Sequence, residues 1–156
     1  MNKKLLIQSI IAAIFSTITI GILTLLTYKT EYGIFLIASF GSTMVLLYGY
    51  PESPFAQPKN IFFGHLISIL VGIIFNEFFG LSFYTLGLSV GIAVILMIYL
   101  KAMHPPAASN PIVALFMDLS FDYILFPVIV GSIVIILSAI LINRYVLKRN
   151  YPKKFF

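Results

Sequence analysis

Cysteine is absent from the chain, so disulfides, thiolate metal sites and thiol nucleophiles are excluded. Tryptophan is absent too, so any aromatic belt at a membrane surface must come from Tyr and Phe. Charge is scarce, with Asp, Glu, Lys and Arg together making 10% of residues, whereas a soluble domain carries about a quarter. The chain is 60% hydrophobic with a mean hydropathy of +1.05. It cannot cover a water-facing surface and reads as an integral membrane protein. Only two histidines are present, and no HExxH, nucleophile elbow, phosphate loop or paired-carboxylate signature appears. No enzyme activity, metal site or cofactor is therefore expected. A haem held by His65 and His104 is the one redox alternative, and a His followed by two prolines is an awkward axial ligand.

What is present is long apolar runs interrupted by proline. Leu5 to Tyr28 is uncharged and too long for a signal-peptide core. At ~1.5 Å per residue it crosses ~30 Å of hydrocarbon. Tyr32 to about Tyr48 predicts a second span. A third opens at Lys59-Asn60 and ends near Asn76-Glu77, and a fourth runs from about Leu81 to Leu100. A half-helix over Ile112–Leu119 follows, and Tyr123–Asn143 is the last full span. The expected fold is an all-α membrane bundle of five full transmembrane helices plus a proline-broken sixth crossing or re-entrant half-helix. It forms one transmembrane domain over 1–156, with 143–156 as a basic cytoplasmic tail. Gly64, Ser68 and Gly72 on the third span, and Gly87 and Gly91 on the fourth, form small-residue stripes. These predict that the two helices pack together, and such stripes also favour a homo-oligomer.

Charge placement chooses between the two geometries. Half of the Lys/Arg lie from Arg144 onward, beside an apolar helix, which points to a membrane surface and not to nucleic acid. If residues 102–119 cross the bilayer, one side collects Lys3, Lys4, Lys59, Lys101 and the five tail residues, with only Glu52 acidic. The other side keeps Lys29, Glu31, Glu77, Asp118 and Asp122. The positive-inside rule then puts both termini in the cytoplasm, at the plasma membrane. Some six extended residues at ~3.1 Å and an eight-residue helix at ~1.5 Å each span roughly 30 Å, so length permits the crossing. A re-entrant loop would instead return Asp118 and Asp122 to the cytoplasmic side.

Two breaks carry the chemistry. Pro54-Phe55-Ala56-Gln57-Pro58-Lys59-Asn60 and His104-Pro105-Pro106-Ala107-Ala108-Ser109-Asn110-Pro111 each follow an apolar helix and lead into another. Proline lacks an N–H and disfavours helix before it, so neither stretch continues a regular helix. Paired interruptions point to a transporter binding site. The candidate substrate-binding residues are Lys101, His104, Asn60, His65, Ser109, Asn110, Gln57 and Lys59. Pro54, Pro58, Pro105 and Pro106 are the structural breaks. Lys101 is either an interfacial lysine snorkelling at a helix end or a cation that attracts anions. Ser109 and Asn110 either cap the half-helix or donate to a ligand. His65 is either a packing residue or faces a cavity, sharing a helix face with Gly72 and Asn76.

The combined order of Phe40-Gly41, Leu46-Leu47-Tyr48-Gly49, Ser53 to Asn60, Gly64-His65, Lys101 and His104-Pro105-Pro106-Ala107 resembles the HPP family of integral membrane proteins, over about residues 33–116. Lys101 stands where some members have Arg, which keeps charge but loses the bidentate fork. Ala107, Ala108 and Ser109 stand where glycine is common. The resemblance implies a multi-spanning, transporter-like protein, and plant plastid and cyanobacterial members are associated with nitrite movement. The expected function is a transporter or channel for small inorganic anions, nitrite first. The alternative is a membrane binding or assembly module without transport.

Overall fold

The computed structural model describes residues 3–30 and 35–155, and the described residues are helical with connecting loops and no strand. In chain order the helices are α1 (Lys3–Lys29), α2 (Ser39–Gly49), α3 (Pro58–Phe79), α4 (Phe83–Tyr99), α5 (Asn110–Phe116) and α6 (Gly131–Leu141). π-helical turns, Leu125–Val130 and Ile142–Val146, extend α6 at both ends. The first of these holds Pro127, which has no N–H to close an ordinary turn. Among the described residues, three helical runs are long and apolar enough to cross a membrane: Leu5–Lys29, Pro58–Phe79 and Phe121–Val146.

The second span is shorter than predicted. Its expected start, 32–34, lies outside the described residues, and helix begins only at Ser39, giving 11 residues. The approach at 35–37 is not helical, and its backbone bonds to side chains of neighbouring elements. Phe35 N–H donates to Thr27 Oγ1 at 2.9 Å, and Leu36 C=O accepts from Tyr123 Oη at 3.2 Å. At ~1.5 Å per residue the 11-residue α2 covers roughly half of a ~30 Å hydrocarbon layer. α5 is also short, with 7 residues, and starts two positions earlier than predicted. Among the described residues there are thus two half-helices where the hydropathy pattern suggested one.

The course of 102–119 follows from what α3 touches. A Cβ on Gly64 would lie 2.6 Å from His104 Cβ, and one on Gly72 would lie 2.7 Å from Pro111 Cα. Farther along, Asn76 Nδ2 donates to Asp118 Oδ1 at 2.7 Å. The segment thus runs beside α3 in the same direction and ends level with the α3–α4 turn. This corrects the stripe prediction. α3 and α4 do pack together, but the small residues of α3 receive the second break and α5. Gly87 and Gly91 are exposed, and a Cβ at either would meet nothing within 4 Å. The missing side chains of Gly64 and Gly72 let the backbone of 102–111 lie directly against α3.

The tail folds back onto the first break. Arg149 Nη1 donates to Tyr48 C=O at 2.7 Å, and Tyr151 Oη donates to Ala56 C=O at 2.8 Å. Gln57 Oε1 accepts from the backbone of Lys153 and Lys154 at 2.8 and 3.3 Å. Burial pushes the Tyr151 phenol well above its ordinary range, and the neighbouring Tyr48 adds to the shift. The start of α1 lies at this same end, since Leu5, Gln8, Glu52 and Arg149 line one cleft. Lys29, Glu77, Asp118 and Asp122 gather at the opposite end of the described helices.

Candidate functional site

Lys101 takes φ 52°, a left-handed conformation that ends α4 sharply. Ala102 N–H reaches back to Met97 C=O at 2.9 Å, closing the last turn. The chain then turns inward, and Ala102 and His104 are both buried. His104 is extended, as the residue before a proline must be. Pro105–Ser109 form a 3-10 turn that leads into α5 and delivers Asn110 to the interior.

His104 Nδ1 lies 2.8 Å from the carbonyl of Phe55, so the two breaks meet. Thr43 of α2 bridges the histidines, with Oγ1 2.9 Å from His104 Nε2 and 3.2 Å from His65 Nε2. The two rings lie 4.8 Å apart, centre to centre. Asn110 Nδ2 lies 3.1 Å from His65 Nδ1, 2.8 Å from Ser68 Oγ and 3.3 Å from His65 C=O. Ser39 Oγ donates to Asn110 Oδ1 at 2.6 Å. The six side chains Ser39, Thr43, His65, Ser68, His104 and Asn110 are at most 2% exposed. Along α3, His65 sits ~10 Å from the first residue, nearer the end that carries the tail.

The hydrogen positions follow from which atoms can donate. A backbone carbonyl only accepts, so His104 carries its proton on Nδ1 toward Phe55. Ser68 donates to His65 C=O at 3.1 Å, so it accepts from Asn110, and Ser39 fixes the other side of that amide. Asn110 NH₂ therefore faces His65 Nδ1, which must be bare. His65 then carries its proton on Nε2 and donates to Thr43. The Thr43 hydroxyl proton has two acceptors at 2.9 Å, His104 Nε2 and Ser39 C=O. The arrangement leaves no gap for a macrocycle between the rings, so the haem reading lacks the geometry it needs.

The predicted site residues divide. His65, His104 and Asn110 meet in this cluster. Gln57, Lys59 and Asn60 lie instead at the first break, in a cleft shared with Lys154 and Phe155. Gln57 Nε2 bonds Pro51 C=O and Ser53 C=O at 3.0 and 2.8 Å, and Asn60 Nδ2 bonds Pro54 C=O at 2.7 Å. Both amides are committed to holding the loop. Ser109 Oγ donates to Pro106 C=O at 3.0 Å and stays outside the cluster. Lys101 has an exposed side chain and terminates a helix. An open groove of about 900 Å³, lined by Ser42, Val45, Val90, Pro105 and Pro106 among others, runs past the second break. His104 does not line it.

Sequence reasoning missed Ser39 and Thr43. Their signal was spacing: two hydroxyls four apart in an apolar segment share one helix face.

A family profile described as "HPP, transmembrane region" matches residues 1–152. The chain is similar to a transmembrane protein of Dictyostelium discoideum, 34% identical over 151 residues, covering 88% of this chain and 48% of the relative. A second Dictyostelium discoideum transmembrane protein is 30% identical over 126 residues, 75% of this chain and 44% of that relative. The chain thus spans about half the length of these curated relatives. No solved structure matches it.

Proposed function

We propose that this chain, which belongs to the HPP transmembrane family, moves small inorganic anions across a membrane, with nitrite the first substrate to try. One observation carries the reading: two proline-broken segments meet at His104 and Phe55, and the meeting point is a hydrogen-bonded polar cluster buried inside the bundle. Polar groups placed there are costly and mark substrate paths in membrane proteins. His104, His65, Thr43 and Asn110 form the site, and Lys101 stands at its mouth. The path of 102–119 beside α3 supports six crossings with both termini on one side. Lys and Arg gather on that side, which supports a cytoplasmic placement at the plasma membrane. The chain has no cysteine, so single cysteines introduced at Glu77 and Lys153, probed with an impermeant maleimide, read the orientation directly.

Flux of nitrite, nitrate, formate and chloride into proteoliposomes tests the function, with Lys101→Met and His104→Ala beside the wild type. We expect His104→Ala to abolish flux. Equal flux in all three proteins removes the proposed site, and no flux of any anion removes the transport reading. That last result favours a second reading, a membrane assembly module. Its supporting observation is that every side chain of the cluster is at most 2% exposed.

A further inference from the structure

We propose that the cluster binds one proton, at His104 Nε2, admitted by rotation of the Thr43 hydroxyl, and that this proton is the positive charge a small anion meets. The first half stands on geometry. The second rests on the transport reading, and it makes the movement a one-to-one symport of a monovalent anion with a proton.

The cluster needs a charge from somewhere. Among the described residues no Lys, Arg, Asp or Glu makes a hydrogen bond or ion pair within it. α2 brings Ser39 and Thr43, α3 brings His65 and Ser68, and α5 has no ionisable residue. The first break brings the Phe55 carbonyl, while its Glu52 is exposed and Lys59 lies in the outer cleft. α4 has no charged residue before Lys101, which is exposed. Among the described residues, only a proton on the histidine pair can make this site cationic.

Three of the four ring nitrogens are already committed. His104 Nδ1–H donates to Phe55, His65 Nε2–H donates to Thr43, and His65 Nδ1 accepts from an amide held by Ser39 and Ser68. His104 Nε2 alone can change. In the neutral state it accepts from Thr43. An incoming proton takes its lone pair and forms a new N–H bond. Thr43 keeps its own proton, turns it to Ser39 C=O at 2.9 Å, and now accepts from His104. No heavy atom has to move, and loss of the proton reverses each step. A second proton would need the Asn110 amide turned over and a second cation 4.8 Å from the first. One proton therefore neutralises a monovalent anion, and a dianion is left uncompensated.

The test uses the full chain in lipid nanodiscs, with ¹⁵N-labelled histidine read by NMR from pH 8 to pH 4. We expect opposite tautomers at high pH, His104 on Nδ1 and His65 on Nε2, and an imidazolium on His104 alone at low pH. Thr43→Ser should preserve this. Thr43→Val removes the acceptor for the charged N–H and should weaken proton binding about tenfold, a fall of one pH unit in the midpoint. Identical tautomers, protons on both rings or no titration overturns the proton site. Nitrate uptake into proteoliposomes, with a trapped pH dye and a valinomycin-clamped potential, reads the coupling. One proton should enter per nitrate, independent of potential. Potential-driven nitrate uptake without proton entry overturns the symport. If no anion moves but His104 titrates as described, the transport reading fails and the proton site stands. If anions move and His104 does not titrate, the reverse holds.

Discussion

At the first break, Gln57 spreads its amide over Pro51, Ser53, Lys153 and Lys154, and Asn60 ties down Pro54. Each of these partners is backbone of the loop itself or of the tail. At the second break, His104 and Asn110 reach side chains of α2 and α3. The two stretches share their prolines and alanines, and both lead into helix. One is a fastening between loop and tail, and the other inserts titratable chemistry into the bundle. Proline opens the backbone in both cases, and the residues beside it decide what the opening is used for.

The largest expected effects separate the second break from the rest of the bundle. Gly64→Ala and Gly72→Ala push a methyl to 2.6 Å of His104 Cβ and 2.7 Å of Pro111 Cα, where backbone must shift. Each should cost about 3 kcal/mol, read by thermal unfolding in detergent. Gly87→Ala and Gly91→Ala meet open space and should stay within about 0.5 kcal/mol. Equal losses at all four glycines would mean that the second break does not dock on α3 as described.

Next comes the fastening. Gln57→Leu leaves the N–H groups of Lys153 and Lys154 and two carbonyls without this partner. About 2 kcal/mol of stability should be lost. Trypsin should then cut after Arg149, Lys153 and Lys154 far faster, while the His104 ring signals stay in place. Altered ring signals would show that the two breaks act as one unit.

A smaller change tests Lys101. A non-glycine residue in the left-handed region carries a penalty that glycine does not. Lys101→Gly should therefore stabilise the protein by about 1 kcal/mol, whereas Lys101→Met keeps the strain. Comparing anion flux in the two separates the role of the charge from that of the turn.

The smallest effect at neutral pH concerns the tail. The neutral Tyr151 phenol donates to Ala56, and burial first, then Tyr48, raises its ionisation above the ordinary value of 10.0. A group raised in the folded state stabilises fully below its unfolded value and loses that contribution as pH rises past it. Protection of the tail from proteolysis should be flat to about pH 10 and fall above it. Tyr151→Phe should remove that fall.

Much of the scaffold was legible in the chain. Apolar runs located α1, α3 and the last crossing to within a few residues, because a lipid-facing helix must be apolar along its length. The prolines located both breaks, since they lack the N–H a helix requires. The shortness of α2 was hidden, because Phe35 to Ala38 are as apolar as a helix would be. The non-helical course of 35–37 goes with backbone bonds to partners at Thr27 and Tyr123. In the chain, Gln57, Asn60 and Lys101 are legible only as polar residues near a break, whereas the fold shows Gln57 and Asn60 bonded to their own loop and Lys101 at a helix end. Whether a polar group faces a substrate or satisfies its own loop depends on a few ångströms of backbone path.

By itself, then, the sequence determined a membrane bundle, its interruptions, and the gathering of positive charge toward one end. Hydropathy and proline chemistry act locally, and residue order is enough to express them. Only the tertiary structure decided that Thr43, His65, His104 and Asn110 share one buried network. These residues come from three helices and a loop, and they meet because 102–111 lies against the glycines of α3. That close approach belongs to the packed state, where the absence of a side chain on one helix makes room for the backbone of another segment.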